Sequence, residues 1–296
     1  MTPPAPVPPA LDGLHVLALP AGTDVMTLAR AWFTQARWER EPAAAAAPVR
    51  PTGARFRGIA VEPVVTTGVL ALAPGVALLG PHACDATSAR GLGLPSRDAD
   101  LYGLPVATPP GADVPAGLVA AWATAAARRT GGGVLPAGGA AVVPDPAGVL
   151  DLTLWSAVPV PVQEALPLVR PALSGSRLAP APTPGGGFEL TAAFPYDGEV
   201  VVRLERAAHV PLVLSTLDRR EHGPWGYRVA WQPPDASQLD ASHPSQQHLV
   251  ARARVAPAVT RVVATLWRAA GGTVVDAGGF VVPPAELDDR VAAAVR

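Results

Sequence analysis

The sequence contains no lysine and no asparagine, a single isoleucine (Ile59) and a single cysteine (Cys84). The absence of lysine excludes a Schiff base, a Walker-type phosphate-binding lysine and a Ser-Lys dyad. A lone cysteine excludes an intramolecular disulfide and a cysteine-based zinc cage. The missing residue types have AT-rich codons, whereas alanine, proline, glycine, valine and arginine are abundant. We therefore infer a GC-rich bacterial genome, whose codon bias rather than disorder explains the high proline and glycine content.

The net charge is close to zero, and the sequence contains no long apolar run. A formal net charge of −1 offers no broad electrostatic field, so we expect binding neither to double-stranded nucleic acid nor to membranes. A local arginine patch keeps single-stranded nucleic acid open as a minor alternative. The longest apolar passage, GVLALAPGVALLG, is too short and too interrupted to span a bilayer. Because the start MTPPAPVPPALDG lacks the features of a signal peptide, we expect a cytoplasmic protein.

One stretch of the sequence occurs twice. TGGGVLPAGGAAVVP at 130–144 corresponds to AGGTVVDAGGFVVPP at 270–284, and Val274 follows its counterpart Val134 by 140 positions. Before each copy, apolar residues recur with the i, i+3, i+4, i+7 spacing of an amphipathic helix. These stripes are Val119, Trp122, Ala123 and Ala126 in the first half, and Val259, Val262, Val263 and Leu266 in the second. The sequence thus predicts a helix, a double glycine and a short strand in each half.

The ends of these helices have recognisable signals. Gly131 and Gly271 suit a left-handed helix stop. Asp113 is a candidate N-cap for the first helix, and Pro257 suits the first turn of the second. Nearer the start of each half, a further helix is predicted at 23–38, capped by Thr23 or Asp24, and another at 161–173. The second of these contains Pro167 and Pro171, so we expect it to be kinked or short.

Each half therefore reads as strand, helix, two or more strands, helix, strand. The first strands are LHVLALP (14–20) and LTLWSAVP (152–159), and later strands include ARFRGIAVEPVV (54–65) and VPLVLSTL (210–217). This order is the split βαβ, or ferredoxin-like, pattern. We expect an α+β fold in which two tandem ferredoxin-like units form an internal pseudo-dimer, with mainly antiparallel sheets and helices on one face. A single mixed α/β domain with an accidental internal resemblance is the alternative.

The predicted domain boundaries follow from the repeat. Residues 1–10 form a proline-rich mobile tail, 11–148 the first repeat and 149–296 the second. PAAAAAPVRPTG (42–53) and APAPTPGGG (179–187) have the composition of flexible loops and lie at equivalent places in the two halves.

Sequence motifs for cofactors and metals are weak. The GGG runs at 131–133 and 185–187 lack the context of a phosphate-binding loop, and neither GxSxG nor HExxH is present. His243 and His248 lie five residues apart in a polar stretch, which is more typical of a solvated loop than of a metal site. We therefore expect no metal and no cofactor.

Two stretches are richer in chemically active side chains. In PHACDATSARG (81–91), His82 could lower the pKa of Cys84 and produce a nucleophilic thiolate next to Asp85. The ordinary alternative is that Cys84 is a small buried apolar residue.

The second stretch is TLDRREHGPWGYR (216–228). Arg219 and Arg220 could hold a carboxylate or phosphate, next to Glu221, with His222 as an acid or base and Trp225 as a stacking wall. The ordinary alternative is a solvated loop with local ion pairs.

Seven tryptophans against three tyrosines are a further signal. We expect Trp32, Trp122 and Trp267 in cores, and Trp225 and Trp231 at an exposed aromatic contact.

The sequence supports three functional hypotheses. The first is a non-enzymatic binding protein that holds a protein partner or small ligand between two duplicated units. The second is an enzyme with its site at the loops 81–91 and 216–228, and the third is a structural component of a larger assembly. No substrate, reaction or partner identity follows from the residues.

Overall fold

The computed structural model describes residues 7–43, 67–106, 114–115, 117–239, 241 and 243–293. The chain divides into two compact units, Met1–Pro146 and Ala147–Arg296. The fold is mixed α+β, with two antiparallel sheets and six α-helices among the described residues. Within these ranges, no helix is long and apolar enough to cross a membrane.

The first unit contains a six-stranded antiparallel sheet. Its strands are β1 (His15–Pro20), β2 (Arg37–Arg40), β3 (Val69–Ala73), β4 (Val76–Cys84), β5 (Ala99–Leu104) and β6 (Gly133–Leu135). Across the sheet they run in the order β2-β3-β4-β5-β1-β6. The helices of this unit are α1 (Val25–Arg30), α2 (Ala86–Gly91) and α3 (Leu118–Thr130).

The helix α3 anchors the first unit through Trp122, which is fully buried. Its indole Nε1 donates a hydrogen bond to the carbonyl oxygen of Leu28 at 2.9 Å, and its ring meets Phe33 edge-on. Gly131 ends the helix with a φ of 70°, as the sequence predicts. The proposed N-cap Asp113 lies outside the described residues.

The predicted helix 23–38 is only partly correct. Asp24 caps its start by accepting the amide N–H groups of Met26 and Thr27, but α1 ends at Arg30. Residues 37–40 instead form β2, which pairs with β3. Cross-strand hydrogen bonding therefore outweighs the local helical periodicity of this segment.

The second unit contains a seven-stranded antiparallel sheet. Its strands are β7 (Leu152–Ser156), β8 (Arg177–Thr183), β9 (Gly187–Phe194), β10 (Gly198–Arg206), β11 (Trp225–Gln232), β12 (Thr273–Asp276) and β13 (Val281–Val282). Their order across the sheet is β13-β12-β7-β11-β10-β9-β8. The helices are α4 (Val162–Val169), α5 (Gln246–Ala270) and α6 (Pro284–Ala293).

The helix α5 carries the buried stripe that the sequence predicts. Val259, Val262, Val263 and Leu266 are each at most 1% exposed. The predicted start at Pro257 is wrong, because α5 begins at Gln246 with Ser245 as its N-cap and contains Pro257 within it. Burial on both sides of Pro257 offsets the cost of an internal proline. The helix α4 is short and contains Pro167, as expected.

Two other predictions for the second unit are wrong, and one for the first cannot be compared. Residues 210–217 form a 3-10 turn at Leu212–Thr216 rather than a strand, because Leu214 packs over the sheet against Trp155. Residues 179–183, the start of the flexible loop predicted at 179–187, instead belong to the edge strand β8. Its prolines alternate, so their missing N–H groups can all face the unpaired side. The strand predicted at 54–65 lies outside the described residues.

The main core of the second unit lies between one face of its sheet and all three of its helices. A smaller cluster around Trp155, Leu214 and Val275 covers part of the opposite face. In the first unit, α2 contributes Ala89 to a cluster with Val16 of β1. The same cluster contains Leu11, and Val7 of the predicted mobile tail is partly buried against it. Residues 1–6 of that tail and 44–53 of the first predicted loop lie outside the described residues.

Candidate functional site

The stretch 81–91 completes β4 and forms α2. Cys84 is 8% exposed and belongs to a hydrophobic cluster. Burial, followed by the negative charges of Asp85 and Asp98, raises the pKa of the Cys84 thiol. Burial also lowers the pKa of His82, so at neutral pH its ring lacks the positive charge that would stabilise a thiolate. The surroundings of Cys84 therefore raise the pKa of its thiol, whereas the predicted nucleophile requires a lowered pKa.

Asp85 has a structural role at the start of α2. Its Oδ1 accepts the amide N–H groups of Thr87 at 2.8 Å and Ser88 at 2.9 Å. These bonds, with that from the Ser88 amide the strongest, lower the pKa of the Asp85 carboxyl. The carboxylate is thus committed to capping the helix.

In the stretch 216–228, the charged side chains at 219–221 are exposed to solvent, whereas the histidine is buried. Arg219, Arg220 and Glu221 are exposed. His222 is 7% exposed, and its buried Nδ1 makes no hydrogen bond to any described residue. The next residue, Gly223, passes so close to the backbone of Ser156 and its neighbour that a Cβ there would collide. The loop is therefore pressed against the end of β7, with the arginines pointing away into solvent.

The two tryptophans proposed as exposed contacts are not exposed. Trp225 is half-buried against the main core of the second unit. Trp231 is 5% exposed, contacts His248 with ring centroids 4.9 Å apart and rings tilted by 49°, and donates Nε1–H to the carbonyl oxygen of Asp197. Tyr227, Val229 and Trp231 alternate along β11 and all belong to the main core, so Trp231 lies on the inner face of the sheet.

The two stretches belong to different units. Residues 81–91 lead from β4 towards β5, and residues 216–228 lead into β11 from β10. Within each unit they therefore connect strands that are neighbours in the sheet.

The structure also contains an apolar groove of about 540 Å³ in the first unit, which the sequence analysis missed. It lies between the start of β1, the end of β5 and the first half of α3. Its lining includes His15, Leu104, Val119, Ala123, Val134 and Val142. Val106 and Val142 are 54% and 51% exposed, so this lining presents aliphatic surface directly to solvent.

Two polar side chains lie at this groove: Thr124, whose hydroxyl donates to the carbonyl oxygen of Ala120, and His15. The Nδ1 of His15 accepts the backbone N–H of Ala137 at 2.9 Å. In the neutral imidazole, an acceptor at Nδ1 requires that the proton be on Nε2. The arrangement gives the groove a largely apolar lining with one oriented hydrogen-bond donor, which is typical of binding sites.

The structure contains two further cavities. One of about 590 Å³ is lined largely by small residues at 91–93 and 137–141. Another of about 380 Å³ lies next to Glu221 and Trp267 in the second unit. No group of three or more histidine, cysteine or acidic side chains that could hold a metal ion occurs in the described part of the chain.

Comparisons with known proteins add no assignment to this geometry. No family model, no curated protein and no solved structure matches the chain.

Proposed function

We propose that the chain is a binding protein built from two copies of one ferredoxin-like unit, and that the groove of the first unit holds an apolar group of its ligand or partner. The observation that carries the proposal is the difference between the two units at this surface. It is open in the first unit and buried in the second.

The strand orders support a duplication. Read from the strand that follows the long helix, the first sheet runs β6-β1-β5-β4-β3-β2 and the second runs β12-β7-β11-β10-β9-β8. The two lists match strand for strand in chain order. In both, the order of the four strands at one end supports a ferredoxin-like unit. The two central strands of the four are antiparallel neighbours, separated in sequence by a helix (α1 or α4) and three further strands, with α2 also between them in the first unit.

Pairing of individual residues gives the same correspondence. Val134 bridges Val142 in the first unit, and Val274 pairs with Val282 in the second. Both residues of the second pair follow those of the first by 140 positions. The offset found in the sequence thus extends to hydrogen-bonded partners.

The equivalent positions differ in exposure. Val142 is 51% exposed, whereas Val282 is 2% exposed. Val134 and Val119 are half-buried, whereas Val274 and Val259 are at most 3% exposed. A monomer rarely leaves such a surface uncovered without a use for it. We infer that the first unit keeps it open for binding.

The groove can be tested with the dye 8-anilinonaphthalene-1-sulfonate, which fluoresces in apolar sites. Ala120 is exposed on α3 and lines the groove, so Ala120→Phe would fill it. Ala121 is also exposed on α3 but outside the lining, so Ala121→Phe is the matched control. We expect Ala120→Phe to weaken dye binding about tenfold, which is the effect of losing roughly 1.4 kcal/mol, and Ala121→Phe to leave it unchanged.

Circular dichroism of both variants would establish that they fold like the parent chain. Equal dye affinity in the parent chain and in folded Ala120→Phe would contradict the proposal, since the bound dye would then lie outside the groove.

A further inference from the structure

We propose that the groove of the first unit binds an amphipathic helix of a partner protein, with two aliphatic residues four positions apart and an acidic residue directly after the first of them. This inference rests on the proposed function, because it names the class of occupant for the same site. In the second unit, the equivalent surface is covered by a helix of the chain itself.

That covering helix is α6. Leu287 is 1% exposed and shares the main core with Val259, Val263 and Val282. Val291, one turn further along α6, packs against the same core. The aliphatic pair of α6 therefore closes the second unit over α5 and β13.

The surface under α6 has a counterpart in the first unit, 140 positions earlier. Val259, Thr260, Val263 and Ala264 of α5 correspond to Val119, Ala120, Ala123 and Thr124 of α3. All four of these α3 residues line the groove. Because positions three and four apart share one helix face, the groove is the same α-helical face that α6 helps to bury in the second unit.

Among the described residues of the first unit, no helix lies at the position of α6. After Val282 the chain enters α6 almost at once, whereas after Val142 residues 143–150 are non-helical and lead into β7. The face of α3 therefore has the side chains that a covering helix would contact, but no helix in the described part of the first unit covers it.

Charge supports an acidic helix as the occupant. Arg268 of α5 forms an ion pair with Asp288 of α6 at 2.9 Å. Its counterpart Arg128 lies one turn beyond Thr124 on α3, and its Nε is buried and makes no hydrogen bond to a described residue. A carboxylate placed like Asp288 on a bound helix would give Arg128 the partner that Arg268 already has.

A peptide copied from α6 is a suitable probe. We would use fluorescein-labelled PPAELDDRVAA (283–293) with Arg290 replaced by lysine and a side-chain lactam from Glu286 to position 290. The lactam replaces the ion pair between Glu286 and Arg290 and holds the helix, since a free peptide of this length is only marginally helical. Binding to the full chain is followed by fluorescence anisotropy.

We expect saturable binding that Ala120→Phe weakens at least about tenfold, while Ala121→Phe leaves it unchanged. Leu287→Ala in the peptide should weaken binding about tenfold or more, because it removes the main apolar anchor. Arg128→Ala in the chain and Asp288→Ala in the peptide should each weaken it a few-fold, and more at low salt than at high salt.

The outcomes separate this inference from the proposed function. If Ala120→Phe abolishes dye binding but the peptide neither binds nor displaces the dye, the groove is a small-molecule site, and the proposal that it binds a helix is wrong. If neither probe depends on Ala120, both proposals fail. If the chain instead dimerises with rising concentration, and Ala120→Phe prevents it, the occupant is a second copy and the partner protein is wrong.

Discussion

Tyr227 shows how a single buried side chain fixes a loop to the sheet. Its hydroxyl donates to the carbonyl oxygen of Val158 at 2.7 Å and accepts the backbone N–H of Val160 at 2.6 Å. Burial raises the pKa of the phenol, against a smaller opposing effect of the Val160 hydrogen bond. The side chain therefore stays neutral and keeps both bonds across the ordinary pH range. The segment that follows β7 depends on this one oxygen for two of its backbone groups.

Tyr227→Phe should therefore destabilise the folded chain by about 1 to 3 kcal/mol, because it leaves the buried N–H of Val160 without a partner and removes the hydrogen bond to the carbonyl oxygen of Val158. Tyr196→Phe is the matched control, since Tyr196 is 87% exposed and its loss should change stability by less than about 0.5 kcal/mol. Urea denaturation followed by tryptophan fluorescence measures both. Equal midpoints for the two variants would show that the phenolic hydrogen bonds contribute nothing.

At the scale of elements, the sequence predicts helices better than it predicts the site. The buried stripe of α5, the buried Trp122, Ala123 and Ala126 of α3 and the stop at Gly131 could be predicted directly, because apolar periodicity and glycine caps are local signals. The strands β2 and β8 could not, because their pairing partners decide them. The groove was missed for a related reason. The sequence around Val142 is nearly that around Val282, yet Val142 is exposed whereas Val282 is buried in the core that contains Leu287 of α6.

The caps are a local signal whose strength can be measured. Asp24→Ala should destabilise the chain by about 1 kcal/mol at neutral pH, since α1 is short and loses the acceptor for two amide groups. Hydrogen bonding, led by the Thr27 side chain, lowers the pKa of Asp24 below its ordinary 3.8. A lowered folded-state pKa means that the contribution is complete above 3.8 and is lost as the pH falls through the lower folded value.

The difference in stability between the parent chain and Asp24→Ala should thus shrink in acid. Asp24→Asn keeps an oxygen acceptor without the charge, so its advantage over Asp24→Ala should not change with pH. Urea denaturation of the three proteins from about pH 6 to about pH 2 makes the comparison. A constant difference between the parent chain and Asp24→Ala would show that the ionised form is not the one that caps α1.

At the scale of the whole molecule, the proposed duplication accounts for the paired glycines that first stand out in the sequence. Gly131 and Gly271 end the long helices, both with positive φ. Next to them, Gly132 passes the carbonyl oxygen of Ala18, and Gly272 passes that of Trp155. Ala18 pairs with Gly133, the residue after Gly132, and Trp155 pairs with Thr273, the residue after Gly272. The repeated glycines thus serve the same close passage of a helix end over the first strand of each unit.

If the two glycines occupy equivalent positions, replacing either of them should destabilise the folded chain to a similar extent. Gly132→Ala and Gly272→Ala each place a Cβ against a backbone carbonyl that cannot rotate away, so each should cost about 2 kcal/mol or more. Gly226→Ala is the control, because the nearest atoms to its Cβ would be at 3.6 Å, an ordinary contact distance. Chemical denaturation of the three variants gives the comparison. If either Gly132→Ala or Gly272→Ala unfolds at the same denaturant midpoint as the parent chain, the two helix-to-strand turns do not have the same structure. The comparison of α3 with α5 would then lose its basis.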